Sequence, residues 1–495
     1  MKIKDLFGPL RIKKGIEDLI VKGISQDTRT LKDNELFFII EGDNFDIFSF
    51  LKGVEKKCLT FVADIEKKDL VNSIIKKKPV IFVKDIEREF KKCVDRVYPL
   101  KMEDFKFIGV TGTNGKTTTT HLIYHLLDNL QVKCALIGTI HYLIGSKKIK
   151  AFYTTPDYLS LRKLFYEVKK REINYIILEV SSHSIDQKRI EGIKFNQCIF
   201  TNLSRDHLDY HKNLKEYFSV KKTFFLKNPQ ATSIINIDDN FGKIIFSELK
   251  GERYSYAILG DADYRAINCK LSKDYVEFFL EKKNNRLRFK VKSFLLGRYN
   301  ILNVLSSFAC LDNLGFPLKD VVSLVSSFKS VEGRLERVAP EVFVDYAHSP
   351  DALKNVLITL KEAGFCEIIV VFGCGGNRDK GKRKIMGEIA SQLATFSFIT
   401  SDNPRDEEPL DICNHIRKGF KNNNFKIIID RKKAIQEALK LKSYYRNSAL
   451  LVAGKGHEDY QVIKGKKKPF KDKGVIEDIF KNKKENVLSS FLPFK

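Results

Sequence analysis

The segment GVTGTNGKTTTTHL, residues 109–122, has the residue types and spacing of a phosphate-binding loop. Its glycines, Gly112 and Gly115, are separated by two residues, whereas the common phosphate loop has four residues between its first glycine and the Gly-Lys-Thr/Ser. Glycines let backbone N–H groups turn toward an anion, and the N-terminus of a following helix adds partial positive charge. Lys116 is placed to reach the outer phosphates, and the hydroxyl of Thr117 suits Mg²⁺, which prefers oxygen ligands. The segment predicts nucleotide binding but names no reaction.

The elements around this loop are those that a nucleotide site requires. FKFIGV before it is typical of a strand, and TTTTHLIYHLLDNL after it is typical of a helix. Further short apolar runs rich in β-branched residues predict buried parallel strands: CALIGTI, YIILEV, QCIFTNL and ATSIINI, then, from about residue 340, VFVDYA, EIIVVFG, FSFITSD, FKIIID and ALLVAGKG. Helical stretches lie between several of these runs, so we predict doubly wound α/β sheets. SVEGRLERV, residues 330–338, is a polar segment between the two series and a candidate hinge.

Length, charge and cysteine content limit the class of protein. A chain of 495 residues is too long for one ordinary core, so we expect two or three domains. The net charge of +26 is spread along the chain, which favours a solvated Lys-rich surface over a nucleic-acid-binding stripe. The nine cysteines form no C-x-x-C pair and predict reduced, mostly buried thiols. With no signal-peptide core and no apolar run near the roughly 20 residues of a membrane span, we expect a cytoplasmic protein without membrane insertion.

Other motifs extend along almost the whole chain. With GTNGKTTT, the following resemble the Mur ligase family, the ATP-dependent amide-forming enzymes of peptidoglycan synthesis: YTTPD (153–157), LEVSSHSIDQKR (178–189), TNLSRDHLDYH (201–211), YFSVKKTFF (217–225), LLGRYNILN (295–303), VEGRLERV (331–338) and DYAHSPDAL (345–353). Three more resemble the branch of that family that adds the third residue of the stem peptide: FGCGGNRDKGKRKIMG (372–387), SDNPRDEEP (401–409) and AGKGHEDYQ (453–461).

The resemblance implies three α/β domains. These are a small N-terminal domain for a UDP-sugar at 1–100, a central doubly wound P-loop ATPase domain at 101–333, and a C-terminal Rossmann-like domain for an amino acid at 334–495. It also implies small-molecule partners without nucleic acid, and we expect a monomer. Arg334 lies in the candidate hinge, so domain closure would bring it to the nucleotide.

The resemblance further implies a reaction and its catalytic residues. ATP would phosphorylate the D-Glu side-chain carboxylate of UDP-N-acetylmuramoyl-L-alanyl-D-glutamate, and an amine would displace phosphate from the acyl phosphate. The implied catalytic residues are Lys116, Glu179, His207 and Lys221, and the implied Mg²⁺ ligands are Thr117, Glu179, His207 and Lys221, the last as N6-carboxylysine. Locally nothing separates Lys221 from Lys222, but a carbamate would turn a cation into an oxygen ligand.

Three sets of binding residues follow from the same resemblance. The ATP set is Gly112, Thr113, Asn114, Gly115, Lys116, Thr117, Thr118, Asn300, Arg334 and Asp345, and His348 is expected either at this site or only as support of the DYAH turn. The UDP-muramoyl-dipeptide set is Thr28, Asp43, Asn44, Phe45, Thr154, Thr155, Ser181, Gln187 and Arg189, with Thr28 standing where the family usually has serine. The amino-acid set is Arg378, Asp402, Asn403, Pro404, Arg405, Gly454 and Glu458.

The identity of the added amino acid depends on charge. Arg405 can pair with a carboxylate, and Asp402 and Glu458 can receive an ammonium, so the set favours meso-diaminopimelate, whose far end carries both groups. L-Lysine or L-ornithine would leave Arg405 without a partner, unless Asp406 or Glu407 turns inward. Lower-ranked alternatives are a folylpolyglutamate-synthetase-like ligase, a basic P-loop ATPase acting on nucleic acid, and a non-catalytic binding protein with the same fold.

Overall fold

The computed structural model describes residues 1–8, 12, 15–41, 46–283 and 287–489. Contacts divide the chain into two compact units. The first unit consists of residues 1–105, 156–174 and 187–193, and the second of residues 106–155, 175–186 and 194–495. Two stretches from within the predicted central range of 101–333 therefore pack with the N-terminal residues. Within the described ranges, no helix is both long enough and apolar enough to cross a membrane.

Strands and helices alternate along most of the described chain. The strands are β1 Gly23–Ser25, β2 Glu35–Phe38, β3 Thr60–Asp64, β4 Val80–Val83, β5 Lys106–Thr111, β6 Cys134–Ile137, β7 His141–Ile144, β8 Lys147–Lys150, β9 Tyr175–Glu179, β10 Phe195–Phe200, β11 Thr232–Asn236, β12 Arg253–Ala257, β13 Tyr264–Leu271, β14 Val276–Lys282, β15 Leu287–Ser293, β16 Glu336–Ala339, β17 Val342–Asp345, β18 Glu367–Phe372, β19 Phe396–Ile399, β20 Phe425–Ile427, β21 Ser448–Ala453, β22 Tyr460–Ile463 and β23 Lys466–Pro469. The helices are α1 Ile3–Phe7, α2 Leu51–Val54, α3 Lys68–Ile74, α4 Ile86–Val97, α5 Lys116–Asn129, α6 Tyr158–Lys169, α7 Ser182–Asp186, α8 Leu214–Leu226, α9 Asn240–Glu248, α10 Arg298–Asn313, α11 Leu318–Leu324, α12 Pro350–Glu362, α13 Gly381–Leu393, α14 Pro409–Arg417, α15 Arg431–Lys442 and α16 Asp472–Ser489.

The first unit is built on a four-stranded parallel sheet in the order β1-β2-β3-β4. Helix α6 belongs to this unit because its buried face joins the N-terminal apolar core through Tyr158 and Leu159. Its Arg162 is almost fully buried and pairs with Asp95 of α4, with Nε 3.2 Å from Oδ1. An amphipathic helix from the middle of the sequence thus completes the N-terminal unit.

The larger sheet of the second unit confirms the predicted doubly wound fold. Its order is β15-β14-β13-β12-β11-β10-β5-β9-β6-β7-β8. The strands from β12 to β6 run parallel and include the runs predicted from the sequence. Antiparallel pairs extend both edges, β13-β14-β15 on one side and β6-β7-β8 on the other. Because parallel strands are buried on both faces, their sequences are continuous apolar runs, and these runs allowed the strands to be predicted from the sequence.

The second sheet of this unit has six strands in the order β16-β17-β21-β18-β19-β20, all parallel except β16. Ile368, Val370 and Phe372 of β18 face one apolar core, and Ile369 and Val371 face the other. Helices therefore cover both faces, as the predicted Rossmann-like fold requires. In the candidate hinge, residues 336–338 belong to β16, and Val331 and Leu335 are buried.

A buried ion pair connects helices α15 and α16 near the C-terminal end of β21. Arg431 at the start of α15 binds both carboxylate oxygens of Asp472 at the start of α16, at 2.7 and 2.8 Å, and neither side chain is exposed. The same guanidinium donates to the carbonyl of Ala453 at 2.9 Å. The pair thereby holds α15 and α16 against the strand that leads to Gly454.

Replacing Asp472 by asparagine should destabilise this part of the molecule strongly. The change leaves the charge of Arg431 buried without its partner, which costs about 3–5 kcal/mol. Urea denaturation followed by circular dichroism would show a lower transition midpoint. Lys384→Ala is the matched control, because it removes the exposed Lys384–Glu388 pair and should change the midpoint little. Equal midpoints for Asp472→Asn and wild type would contradict the expectation.

Candidate active site

The predicted phosphate loop connects β5 to α5 and is fixed to the end of β10. The N–H of Thr113 donates to Asn202 O at 2.8 Å, and the hydroxyl of Thr201 donates to Asn114 O at 2.6 Å. Gly112 has a φ of 147°, and a Cβ added there would lie 1.9 Å from Thr201 Oγ1. Only glycine fits this close approach, so the short loop is a tightly constrained turn and its glycine spacing is built into the fold.

Two lysines donate to the carbonyl groups of this loop. Lys116 Nζ lies 2.8 Å from both Gly112 O and Thr113 O, and Lys221 Nζ lies 2.9 Å from Gly112 O. Burial and the nearby charge of Lys116 hold the pKa of Lys221 well below its usual value. Its neighbour Lys222 instead pairs with Glu248 at 2.8 Å. The structure thus separates two lysines that the sequence could not, and it places Lys221 at the loop.

The Glu179 carboxylate is fully buried at the end of β9. It accepts a hydrogen bond from Thr117 Oγ1 at 3.0 Å, and from the N–H and hydroxyl of Thr139 at 2.8 and 2.9 Å. Arg334 Nη2 donates to the same Thr117 hydroxyl at 3.2 Å, so the arginine from the candidate hinge lies at the loop. Thr139 was missed in the sequence analysis, because its role depends on a contact 40 residues away.

His207 and His348 both lie near the same carboxylate oxygen of Asp206. The Asp206 carboxylate is 3.7 Å from His207 Nε2 and 3.9 Å from His348 Nε2. Burial lowers the pKa of His207 to about 4, and the positive groups of Lys116 and Lys221 act in the same direction. At neutral pH the imidazole is therefore uncharged and has a lone pair for a ligand. His348 also contacts the Tyr346 carbonyl through Nδ1 at 2.9 Å, which supports the turn.

The other predicted nucleotide residues make mainly local contacts. Asn300 is buried on α10, where its amide donates to Leu296 O at 2.8 Å. Asp345 accepts from the N–H of Ala347 at 2.6 Å, and burial raises its pKa to about 6. Thr118 is buried in the first turn of α5. Their contacts with a nucleotide stay a prediction.

The predicted UDP-muramoyl-dipeptide residues are divided between the two units. In the first unit, Thr28 is half-buried in a turn, and Arg189 Nε donates to Gln187 Oε1 at 2.9 Å. Asp43, Asn44 and Phe45 lie outside the described residues. In the second unit, three hydroxyl residues surround the Glu179 end of β9: Thr155 donates to Glu179 O at 2.6 Å, Thr154 contacts Thr139 at 3.1 Å, and the Ser181 N–H donates to Thr155 Oγ1 at 3.1 Å.

A cavity of about 230 Å³ brings together six of the seven residues predicted to bind an amino acid. These are Arg378, Asp402, Asn403, Arg405, Gly454 and Glu458; their companions in the lining include His183, Asp206, His207, Asp209, Tyr346 and His348. Pro404 is not in the lining, and its carbonyl packs against Gly376. The cavity thus joins the predicted amino-acid site to His207 of the predicted catalytic set.

The acidic side of the cavity is organised by a buried lysine. Lys455 has no exposed side-chain surface, and its Nζ lies 2.9 Å from Glu458 Oε2 and 3.3 Å from Asn403 Oδ1. The amide of Asn403 donates to the same glutamate oxygen at 2.9 Å. Lys455 was missed although it lies three residues from Glu458 within the quoted motif AGKGHEDYQ, because its burial and its contact with Asn403 depend on packing.

The two arginines of the cavity have different partners. Arg378 Nη1 binds Asp209 at 2.7 Å, whereas Arg405 Nη1 donates to the carbonyl of Gly376 at 2.7 Å. The acidic neighbours of Arg405 are directed elsewhere: Glu407 pairs with Arg383, with 2.8 Å between Nη1 and Oε2, and Asp406 accepts from the Asn377 amide at 2.9 Å.

Models of known protein families match two long segments of this chain. A family model described as Mur ligase middle domain matches residues 110–311, and one described as Mur ligase, glutamate ligase domain matches residues 333–456. The chain belongs to the Mur ligase family. The resemblance inferred from the sequence motifs and the predicted α/β fold class are both confirmed.

Named relatives of this Mur ligase match it over nearly its whole length. It is 38% identical over 490 residues to the UDP-N-acetylmuramoyl-L-alanyl-D-glutamate–2,6-diaminopimelate ligase of Clostridium tetani. The alignment covers 97% of this chain and 99% of the relative. The ligase 1 of the same name from Clostridium acetobutylicum is 39% identical over 490 residues. A solved structure with the same ligase name is 28% identical, covers 98% of this chain and 99% of its own, and superposes with a TM-score of 0.64.

The imidazole of His207 should titrate near pH 4 in the metal-free Mur ligase. Its pKa is lowered from 6.5 to about 4 by burial, whereas the unfolded chain takes up this proton near 6.5. The folded state should therefore lose stability, relative to a His207→Gln variant, as the pH falls from about 6.5 to about 4. Histidine NMR signals recorded against pH would test this, with the variant identifying the His207 signal. A midpoint at 6.5 or above would contradict it.

Proposed function

We propose that this Mur ligase joins meso-2,6-diaminopimelate to UDP-N-acetylmuramoyl-L-alanyl-D-glutamate, with conversion of ATP to ADP and phosphate. The observation that carries the proposal is the cavity lined by Arg378 and Arg405 together with Asp402 and Glu458. A ligand whose far end carries an amine and a carboxylate suits a cavity of both signs, because each charge then meets its opposite. The names of two relatives that match 97% of the chain support the same amino acid.

Glu407 and Asp406 bear on the choice between amino acids. Lysine or ornithine has no distal carboxylate and would suit this site if a protein carboxylate faced Arg405 instead. Glu407 is engaged by Arg383, and Asp406 by Asn377. This arrangement supports diaminopimelate and makes lysine or ornithine the second candidate. Ligases of the folylpolyglutamate type and nucleic-acid ATPases rank lower, because neither accounts for a cavity lined by charged groups of both signs.

The proposed reaction has two displacements. An oxygen of the D-glutamate side-chain carboxylate attacks the γ-phosphorus of ATP, and the bond to ADP breaks. The amine nitrogen of diaminopimelate then attacks the acyl carbon, the bond to phosphate breaks, and the nitrogen loses its proton. Positioning and charge neutralisation dominate such transfers. Lys116 and Arg334 would supply positive charge, because both lie at the start of α5.

The oxygen groups of Thr117 and Glu179 suit a magnesium ion. Thr117 and Glu179 place two oxygen groups 3.0 Å apart, and oxygen ligands are those that Mg²⁺ prefers. His207 is kept uncharged by its lowered pKa of about 4, as a metal ligand must be. We propose these three residues, together with a carbamylated Lys221, as the holders of Mg²⁺, which when bound would neutralise phosphate charge.

We also propose that Lys221 is carbamylated. The reaction joins Nζ to the carbon of CO₂ with loss of a proton, so it requires the uncharged amine. Lys221 supports this because it is only 1% exposed and its pKa is held well below its usual value by burial and Lys116. The product would carry negative charge beside Lys116 in place of a second positive charge.

The remaining sequence expectations are proposals of the same kind. We propose a cytoplasmic monomer with three domains at 1–100, 101–333 and 334–495. All nine cysteines are free thiols, which suits a reducing compartment. The other predicted binding residues keep their proposed roles.

The purified protein should release ADP and phosphate only when UDP-N-acetylmuramoyl-L-alanyl-D-glutamate and a diamino acid are both present. Both substrates are needed because the acyl phosphate forms on the first and is consumed by the second. Coupled ADP assays and mass spectrometry of the product, with diaminopimelate, lysine and ornithine in competition, would test this. ATP hydrolysis driven by DNA, without response to the muramoyl dipeptide, would refute the proposed function.

Replacing Arg405 by alanine should lower kcat/KM for diaminopimelate selectively. The change removes the proposed partner of the distal carboxylate, and a site that has lost such a partner discriminates about 10–100-fold less. Activity with lysine should change much less. Competition assays with the three amino acids would measure the ratio. An equal loss for all three would show that Arg405 does not recognise a carboxylate.

A further inference from the structure

A buried arginine lies behind the amino-acid cavity and has no part in the proposed chemistry. Arg383 is on the first turn of α13, and its side chain has no exposed surface. Its two terminal nitrogens bind the two oxygens of Glu407, with 2.8 Å from Nη1 to Oε2 and 2.9 Å from Nη2 to Oε1. Nη1 also contacts His415 Nδ1 at 3.1 Å. Such paired hydrogen bonds fix both the position and the orientation of a carboxylate.

Glu407 and Arg405 bind to the same loop. The N–H of Asn377 donates to Glu407 Oε1 at 2.6 Å, and Arg405 Nη1 donates to the adjacent carbonyl of Gly376 at 2.7 Å. The two side chains are also only two residues apart in the sequence. An acidic and a basic group in this arrangement attract each other, so Glu407 would compete for Arg405 if it were not held by Arg383.

We propose that Arg383 is a specificity-determining positioning residue: by holding Glu407, it keeps the Arg405 guanidinium available for a carboxylate on the incoming amino acid. The inference rests on the proposed function and deepens it, since it explains why a diamino acid with a distal carboxylate is preferred to one without. Arg383 acts through Glu407 and does not line the cavity.

The charge state of Glu407 agrees with this role. The hydrogen bonds from Arg383 lower the pKa of Glu407 to about 2, so the carboxylate stays ionised at neutral pH. An ionised carboxylate released near Arg405 would compete with the substrate for the same hydrogen bonds. A neutral glutamine at position 407 would compete far less, because hydrogen bonds to an uncharged group are weaker.

Arg383→Met tests the proposal through the ratio of kcat/KM for diaminopimelate to kcat/KM for lysine. We expect this ratio to fall about tenfold, with a higher KM for diaminopimelate and an unchanged KM for ATP. Adding Glu407→Gln to Arg383→Met should restore most of the ratio, because the freed competitor is then uncharged. A purely structural role would not give this recovery. A folded Arg383→Met protein with the wild-type ratio would overturn the proposal, and so would a double variant without recovery.

Two further variants guard against loss of folding. Arg162→Met is the matched control, because Arg162 is also a buried arginine paired with a carboxylate but belongs to the first unit; it should lower stability without changing the ratio. Arg383→Gln keeps hydrogen-bonding groups and removes the charge, so it carries the same expectation if Arg383→Met does not fold. A change in ratio for Arg162→Met equal to that of the Arg383 variants would count against the proposal. Wild-type protein without activity toward any diamino acid would instead refute the proposed function itself.

Discussion

The buried carboxylate of Glu179 is the constraint around which the loop end of the larger sheet is arranged. A carboxylate without solvent contact must find donors within the protein. Glu179 finds them in Thr117 at the start of α5 and in the N–H and hydroxyl of Thr139 after β6. Arg334 reaches the same cluster through Thr117. A single satisfied group therefore fixes the helix that follows the loop, the end of a neighbouring strand and an arginine that precedes the second sheet.

The short loop itself creates a second electrostatic problem. Because Gly112 is pressed against Thr201, its carbonyl is held where both Lys116 and Lys221 donate to it. Two ammonium groups at one carbonyl repel each other, and burial removes the water that would screen them. Burial lowers the pKa of both lysines, and the charge of Lys116 lowers the pKa of Lys221 further. Phosphate charge beside Lys116 and a carbamate on Lys221 would each reduce the repulsion between the two lysines, so the proposals of ATP binding and of carbamylation have one physical origin.

Local pattern predicted the parallel strands and α5 well, because continuous β-branched runs and amphipathic spacing act within a few residues. It missed the antiparallel strands β13–β15, where apolar and polar positions alternate. It could not assign residues 156–174 and 187–193 to the first unit, since that depends on packing. Thr139 and Arg383 were not predicted as functional residues, because their partners lie 40 and 24 residues away in the sequence.

In the amino-acid cavity, selectivity can follow from the ion pairs that the neighbouring charged side chains make with other residues of the protein. Glu458 is partly neutralised by Lys455, and Arg378 by Asp209. In the described part of the chain, Arg405 donates instead to a backbone carbonyl, and a dipole balances a positive charge less completely than a carboxylate does. A ligand carboxylate therefore gains more at Arg405 than at Arg378, where it must displace an existing partner. The proposed preference for a distal carboxylate thus depends on the residues that pair with the acidic groups around Arg405 as much as on Arg405 itself.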